Sequence, residues 1–405
     1  MKKTVLALAV LSAFSGTAFA QTNVQIYGRM TGGVSYVDKI ATLSTTSPTA
    51  TGSRWGLDSG QYTQSRIGFR GTEDLGGGLK TNFTLESGLT IDNGAAASGL
   101  AYSRKTTVGL AGAFGEVEIG RRKDYIDEVS QDFSTETRLL PFTGRVHANN
   151  MDRSTGGRAN NMIYYTTPDM GGFTGNLSYA FGETAGSITT GQAFGFGGTY
   201  ANGPFAIGFG YWQSKLGVVS AGGVTTSSDN EATTGAGCKT VGLGNAGDTC
   251  LKTWMIGSSY KLGNATLRGT YSRVEQPLIS AAGPVAPNFA TAFTGTIGTS
   301  AFTIGGSNND KANIVDLGVD YDMGSWTFKG SVIQSRYSFV GARDDGRLTM
   351  FGAGADYKFS KRTLLYVMAG TLRTSHMYSP GLTNVGVPGA DNSQSALLAG
   401  IYHTF

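Results

Sequence analysis

Val24-Gln25-Ile26-Tyr27-Gly28-Arg29-Met30 alternates residue by residue, with Val24, Ile26 and Met30 on one face and Gln25, Tyr27 and Arg29 on the other. A period of two is the signature of a strand with one apolar and one polar face. Leu79-Lys80-Thr81-Asn82-Phe83-Thr84-Leu85-Glu86 repeats it, setting Leu79, Phe83 and Leu85 against Lys80, Asn82 and Glu86. At the other end, Leu397, Ala399, Ile401 and Phe405 alternate with Leu398, Gly400, Tyr402 and Thr404. These segments commonly run to about 9–12 residues, the length of a tilted membrane-crossing strand, where strands of soluble sheets average about 5–6.

The connections sort into two kinds. Seven are tight: 73–78, 113–115, 169–172, 201–204, 262–264, 323–325 and 359–361. Between them lie eight long stretches, most of them rich in Gly, Ser and Thr: 38–61, 91–101, 123–158, 183–193, 216–250, 275–312, 338–346 and 377–394. Short turns on one side and long loops on the other are the asymmetry of outer-membrane barrels. The expectation is an all-β, 16-stranded antiparallel transmembrane barrel with short periplasmic turns and long extracellular loops. A barrel of that size leaves an aqueous lumen.

Composition agrees. Charged residues are 15% of the chain, against about 25% in soluble domains. Glycine is 62 of 405 residues, about twice its usual share. Lys2 and Lys3, the apolar run Val5 to Phe14 and the site Ala18-Phe19-Ala20 read as a cleaved secretory signal over residues 1–20. The mature barrel is then 21–405, in the cell outer membrane. Two lysines leave with the signal, so the net charge falls from +4 to +2, 30 basic against 28 acidic residues. That balance argues against nucleic acid as a partner.

Chemistry-bearing motifs are sparse. Gly242-Leu243-Gly244-Asn245-Ala246-Gly247 fits G-x-G-x-x-G but lacks the flanking strand and helix of a nucleotide site. His147, His376 and His403 are the three histidines, none in a hydrolase or metalloprotease motif. No metal-ligand spacing is present, and no enzyme activity, metal or cofactor is expected. Cys238 and Cys250 flank a polar, Gly-rich stretch. An exported protein can bridge them or leave them as thiols, and spacing does not decide.

Several segments in order along the chain resemble the trimeric general porins of β-proteobacteria. They include Gln25-Ile26-Tyr27-Gly28, Ser65-Arg66-Ile67-Gly68-Phe69-Arg70-Gly71-Thr72-Glu73-Asp74-Leu75-Gly76-Gly77-Gly78-Leu79-Lys80, Phe114-Gly115-Glu116-Val117, Arg158-Ala159-Asn160-Asn161, Ser360-Lys361-Arg362-Thr363 and the terminal Ile401-Tyr402-His403-Thr404-Phe405. The resemblance implies a homotrimer among outer-membrane lipids and lipopolysaccharide, inserted by the barrel-assembly machinery with Phe405 as the assembly signal. It implies passive diffusion of ions and small hydrophilic solutes. A substrate-selective porin for anionic solutes or sugars is the alternative, with an adhesin or an enzyme barrel as readings from other classes.

The resemblance also implies a third long loop, 123–158, folded into the barrel as a constriction. Its acidic side is Asp124, Asp127, Glu128 and Asp132, with Glu86 as a lumenal acid on the wall. The facing basic wall is Arg66, Arg104 and Arg158. Alternation independently turns Arg29, Arg66, Arg70, Lys80 and Glu86 inward. Taking Val108 and Leu110 as lipid-facing, it also turns Lys105 inward, in conflict with Arg104; a bulge or a loop start could place either in the pore. Wall bases and a slightly basic chain point to weak anion preference.

Overall fold

A computed structural model describes residues 23–42, 51–96, 101–135, 139, 158–183, 185–186, 188–189, 192–215, 250–275, 295–297, 300–302, 309–339, 345–376, 382 and 391–405. The expected signal at 1–20, Cys238, His147 and most of loop 123–158 lie outside these residues. The strands in chain order are β1 (Asn23–Ala41), β2 (Thr51–Ser59), β3 (Arg66–Gly76), β4 (Leu79–Gly88), β5 (Lys105–Gly112), β6 (Gly115–Lys123), β7 (Arg158–Thr166), β8 (Phe173–Ala180) and β9 (Ala193–Asn202). They continue as β10 (Phe205–Lys215), β11 (Cys250–Leu262), β12 (Ala265–Glu275), β13 (Gly295–Ile297), β14 (Ser300–Phe302), β15 (Asn309–Met323), β16 (Trp326–Phe339), β17 (Gly346–Lys358), β18 (Thr363–Ser375) and β19 (Ser393–Thr404). One helix, α1 (Tyr125–Phe133), follows β6.

Seventeen strands form one antiparallel sheet, and β13 and β14 form a separate small hairpin. β2 and β3 pair with successive halves of β1, Gly32 to Ala41 and Asn23 to Arg29. They are therefore two arms of one stave, and the barrel has sixteen staves. It closes where β1 pairs with β19, from Arg29↔Thr404 to Val37↔Ala396. All seven expected tight turns join neighbouring staves. The long stretches connect the opposite ends, with two corrections. The 275–312 stretch holds β13, β14 and the first residues of β15. The 38–61 stretch is not all loop: β1 runs on to Ala41, and β2 fills Thr51–Ser59. β2 escapes a reading by composition because Ser, Thr and Gly surround it, yet it alternates like the rest, with Trp55 and Leu57 68% and 69% exposed.

Burial is inverted relative to a soluble protein. Val24, Ile26, Val108, Ile119, Leu177, Leu317 and Phe351 stand exposed on the outer face, as an apolar band facing lipid requires. Aromatic residues gather at the tight-turn rim, where Trp326, Phe328, Tyr357 and Phe359 pack ring against ring. The buried side chains lie inside. One interior cluster joins Tyr125, Ile126, Val129 and Phe133 of α1 to Met162, Tyr164, Trp212 and Met255 of the wall. The other gathers Leu139 and Leu382 against Ile314, Ile333, Met350 and Leu398.

Candidate functional site

The charged interior is built from β6 outward. Gly120, at φ +133°, sits at a register shift between Gly120 and Arg122. The extra residue is on β7, where Met162 to Ala159 spans one residue more than Gly120 to Arg122, so β6 keeps its alternation and Arg122 shares the inward side of Glu118. Arg121 donates to Ser103 O (2.8 Å) and Asn160 Oδ1 (2.7 Å). Arg122 pairs with Glu118 of β6 and, at 2.8 Å, with Glu128 of α1, while its guanidinium lies 3.2 Å from the centroid of the Tyr164 ring.

Asp124 caps α1 by accepting the Asp127 N–H at 3.3 Å; such caps contribute about 1 kcal/mol. The apolar stripe of α1 then lies on the inner wall of β9–β11. Helix and sheet approach closely because the wall is glycine beneath it. A Cβ at Gly208 or Gly257 would stand 2.6 Å from Phe133 atoms. Beyond the helix, Thr135 crosses Gly318 of β15, and Leu139 packs over Gly354 of β17. The far end is held by polar groups. Asp316, fully buried on β15, accepts from Ser134 Oγ (2.7 Å), the Thr135 N–H (2.8 Å) and Thr135 Oγ1 (2.6 Å). Arg268 of β12 donates to Asp132 O, a cation at a helix C-terminus. The described part of the loop thus crosses the lumen and is fixed at both ends.

The expected basic residues sort into four groups. Arg66 and Arg104 flank Glu86, at 3.5 and 2.7 Å from Oε1, and Tyr27 donates to its Oε2 at 3.0 Å. Arg29 is the register partner of Arg66, and the charges of Arg104, Arg29 and Arg158 all bear on Arg66. Lys105 goes instead to Glu118, at 2.6 Å. Arg70, 5.1 Å over the Tyr27 ring and bonded to Gln25 at 3.1 Å, stands lower on the wall. Lys80 is exposed and pairs in register with Asp74 beside the tight turn, away from the other bases.

The conflict between Arg104 and Lys105 resolves in favour of both. β5 begins at Lys105, which keeps parity with inward Thr107. Arg104 precedes the strand, so parity does not bind it, and its N–H bonds to Glu86 O at 3.0 Å.

The expected acids divide differently from a simple acidic face. Asp124 is the buried cap. Asp127, 4% exposed, pairs with Lys123. Glu128 meets Arg122 and accepts the Tyr164 hydroxyl at 2.7 Å. Asp132 is exposed on the last turn. Glu86 sits within the basic group. Arg121, Arg122, Glu118, Asp316 and Arg268 escaped the sequence reading, although alternation with outward Val117 and Ile119 already turns Glu118 and Arg122 inward.

Among the described residues no His/Cys/Asp/Glu group could hold a metal. Cys250 is the first residue of β11. Phe405 closes the ring: its N–H donates to Gly28 O (3.1 Å) and its O accepts from the Gly28 N–H (3.2 Å).

A family model described as Gram-negative porin matches residues 7–376. Outer membrane porin protein 32 of Delftia acidovorans is 33% identical over 417 residues, covering 100% of both chains. An outer membrane porin of Bordetella pertussis is 38% identical over 184 residues, 43% of this chain and 46% of its own length. Among solved structures, the anion-selective porin from Comamonas acidovorans aligns with a TM-score of 0.66 at 27% identity, over 95% of this chain and 100% of that one. The trimer form of OmpT from Vibrio cholerae aligns with a TM-score of 0.60 at 14% identity, over 95% and 99%, a likeness of fold alone.

Proposed function

The chain belongs to the Gram-negative porin family, and on that premise we propose that its lumen is a weakly anion-preferring constriction in a homotrimer. The protein is an outer-membrane diffusion channel, not an enzyme. The further reading concerns what the channel prefers and which residues decide it. One observation carries it: Arg66 and Arg104 both contact a single carboxylate, Glu86, with Arg29 the register partner of Arg66, whereas the α1 acids Asp127 and Glu128 are matched locally by Lys123 and Arg122. Among the described residues the excess at the narrowing is therefore positive. In a low-dielectric wall such an excess raises the local concentration of anions, and arginine holds its charge at every relevant pH.

The trimer, the removal of residues 1–20, insertion guided by Phe405 and contact with lipopolysaccharide belong to the same proposal. They are supported by the resemblance of the chain's ends to the family and by the trimer form of a structural neighbour. The test is the reversal potential of the purified protein in a planar bilayer under a salt gradient. Anion preference is expected, reduced in Arg66→Gln/Arg104→Gln. A cation-preferring wild type would refute the assignment of the constriction.

A further inference from the structure

The second stave is broken, and the break carries its own consequence. Between β2 and β3, residues 60–65 leave the sheet. Gly60, at φ +75°, starts the departure while its N–H still donates to Thr31 O at 2.9 Å. Ser65 ends it, accepting the Thr31 N–H on Oγ at 3.0 Å.

Between these points Tyr62 reaches across the inner faces of β1, β19 and β18. Its ring centroid lies 5.2 Å from both Tyr366 and Tyr402. Its hydroxyl donates to Asp356 Oδ2 on β17 (2.7 Å) and accepts from Lys329 Nζ on β16 (2.9 Å). Lys329 and Asp356 bond to each other at 2.5 Å, and each side chain is 4% exposed. A dry ion pair costs desolvation energy, and one so covered cannot meet a passing ion. What it does touch is Tyr62. At the other end of the break, Gln64 O accepts from Arg66 Nε at 3.3 Å and Gln64 Oε1 accepts from Arg104.

We propose that residues 60–65 are a second inward element of the pore: a strap that narrows the lumen from the side facing α1 and sets the positions of Arg66 and Arg104, with Tyr62 as its positioning residue. The placement follows from topology. α1 lies on β9–β11, and the strap lies against β1 and β16–β19, centred six staves away in a ring of sixteen. Tyr62 ties the strap to the far wall, and Gln64 ties the same strap to the arginines. The crossing loop begins as α1 on one side and reaches Leu139, in the buried cluster against which Tyr62 packs, so loop and strap meet over β17 and the aperture is the space that the two leave between them.

The experiment compares wild type, Tyr62→Ala, Tyr62→Phe and Gln64→Ala, purified and reconstituted, with the folded barrel verified by its heat-modifiable mobility. It reads unitary conductance, swelling of proteoliposomes in neutral sugars of increasing size, and reversal potential. Tyr62→Ala is expected to shift conductance upward and admit larger sugars; Tyr62→Phe, which keeps the ring and loses the hydroxyl, falls between it and wild type. Gln64→Ala is expected to lower the ion preference with little change in sugar cut-off. A folded Tyr62→Ala barrel with wild-type conductance and cut-off would overturn the strap. Should Tyr62→Ala not fold, wild-type behaviour in both Tyr62→Phe and Gln64→Ala overturns it equally. Sugars carry no charge, so the strap stands or falls separately from the sign of the wild-type ion preference.

Discussion

Replacing Asp316 with alanine tests whether the crossing segment is held by chemistry or only by fit. One fully buried carboxylate accepts from Ser134 Oγ, Thr135 N and Thr135 Oγ1 at 2.6–2.8 Å. Hydrogen bonds to a charged acceptor contribute about 1.5–3 kcal/mol each, and donors left buried without a partner cost about 1–3 kcal/mol. The alanine variant also sheds the cost of burying the charge and leaves three neutral donors unpaired, so the loss of docking free energy should be about 3–6 kcal/mol, at about 1–2 kcal/mol per donor. At about 1.4 kcal/mol per tenfold, the lower figure alone raises the undocked population about a hundredfold. Asp316→Asn separates charge from geometry. Its amide oxygen can take the place of Oδ2, which accepts twice, and its amide nitrogen can donate to Thr135 Oγ1. The asparagine channel should therefore stay quiet. Single-channel recording is the assay: alanine should add open-channel noise and sublevels, and asparagine should not. A folded Asp316→Ala channel as steady as wild type would refute the reasoning and leave the glycine-floored contact of α1 as the whole anchor.

Two further outcomes follow from other parts of the barrel. Burial among the surrounding wall holds the Glu128 carboxyl above the usual glutamate range against the charge of Arg122 and the hydroxyl of Tyr164, although 43% of the side chain is exposed; a raised value means its negative charge is lost early as pH falls, so anion preference should rise on acidification before ordinary glutamates titrate, a step absent in Glu128→Gln when reversal potential is followed against pH. Deleting Phe405 removes two backbone bonds to Gly28 and the ring that lies where a Gly28 Cβ would stand, 2.5 Å from Cζ; the fraction of barrel reaching the heat-modifiable state in the outer membrane should drop sharply, and an unchanged fraction would remove Phe405 from assembly.

The staves were legible because a period of two survives without knowledge of what lies on either side, and the turns because their shortness is local. Val24 and Ile26 declared a face; only the membrane context made it the outer one. The site was less legible for three physical reasons. Parity fails wherever a strand starts, which set Lys105 against Arg104. A lumenal polar residue looks the same whether it meets water or a packed loop, so Asp316 read as one more inward side chain of Val315-Asp316-Leu317. Acidity also says nothing of the partner: Asp124 and Asp127 read as pore charges, and the fold uses them as a cap and a local ion pair.

Glu86 shows why the positive narrowing is not simply made as positive as possible. It is held by Arg66, Arg104 and Tyr27, with 13% of its side chain exposed. Without it, the surrounding guanidiniums would face the lumen with their mutual repulsion unrelieved, and a passing anion would relieve it. That makes a site that binds, and conduction requires binding weak enough to release. The carboxylate supplies an internal counter-ion, so a permeating anion finds attraction already partly satisfied. Glu86→Gln should therefore raise anion preference in the reversal potential yet lower anion current at high salt, where release limits the flow. Conductance against chloride concentration reads this directly: the variant should saturate at lower concentration than wild type. A variant whose current rises in step with wild type at every concentration would mean that Glu86 tunes the sign of the field and has no part in the exit of the ion.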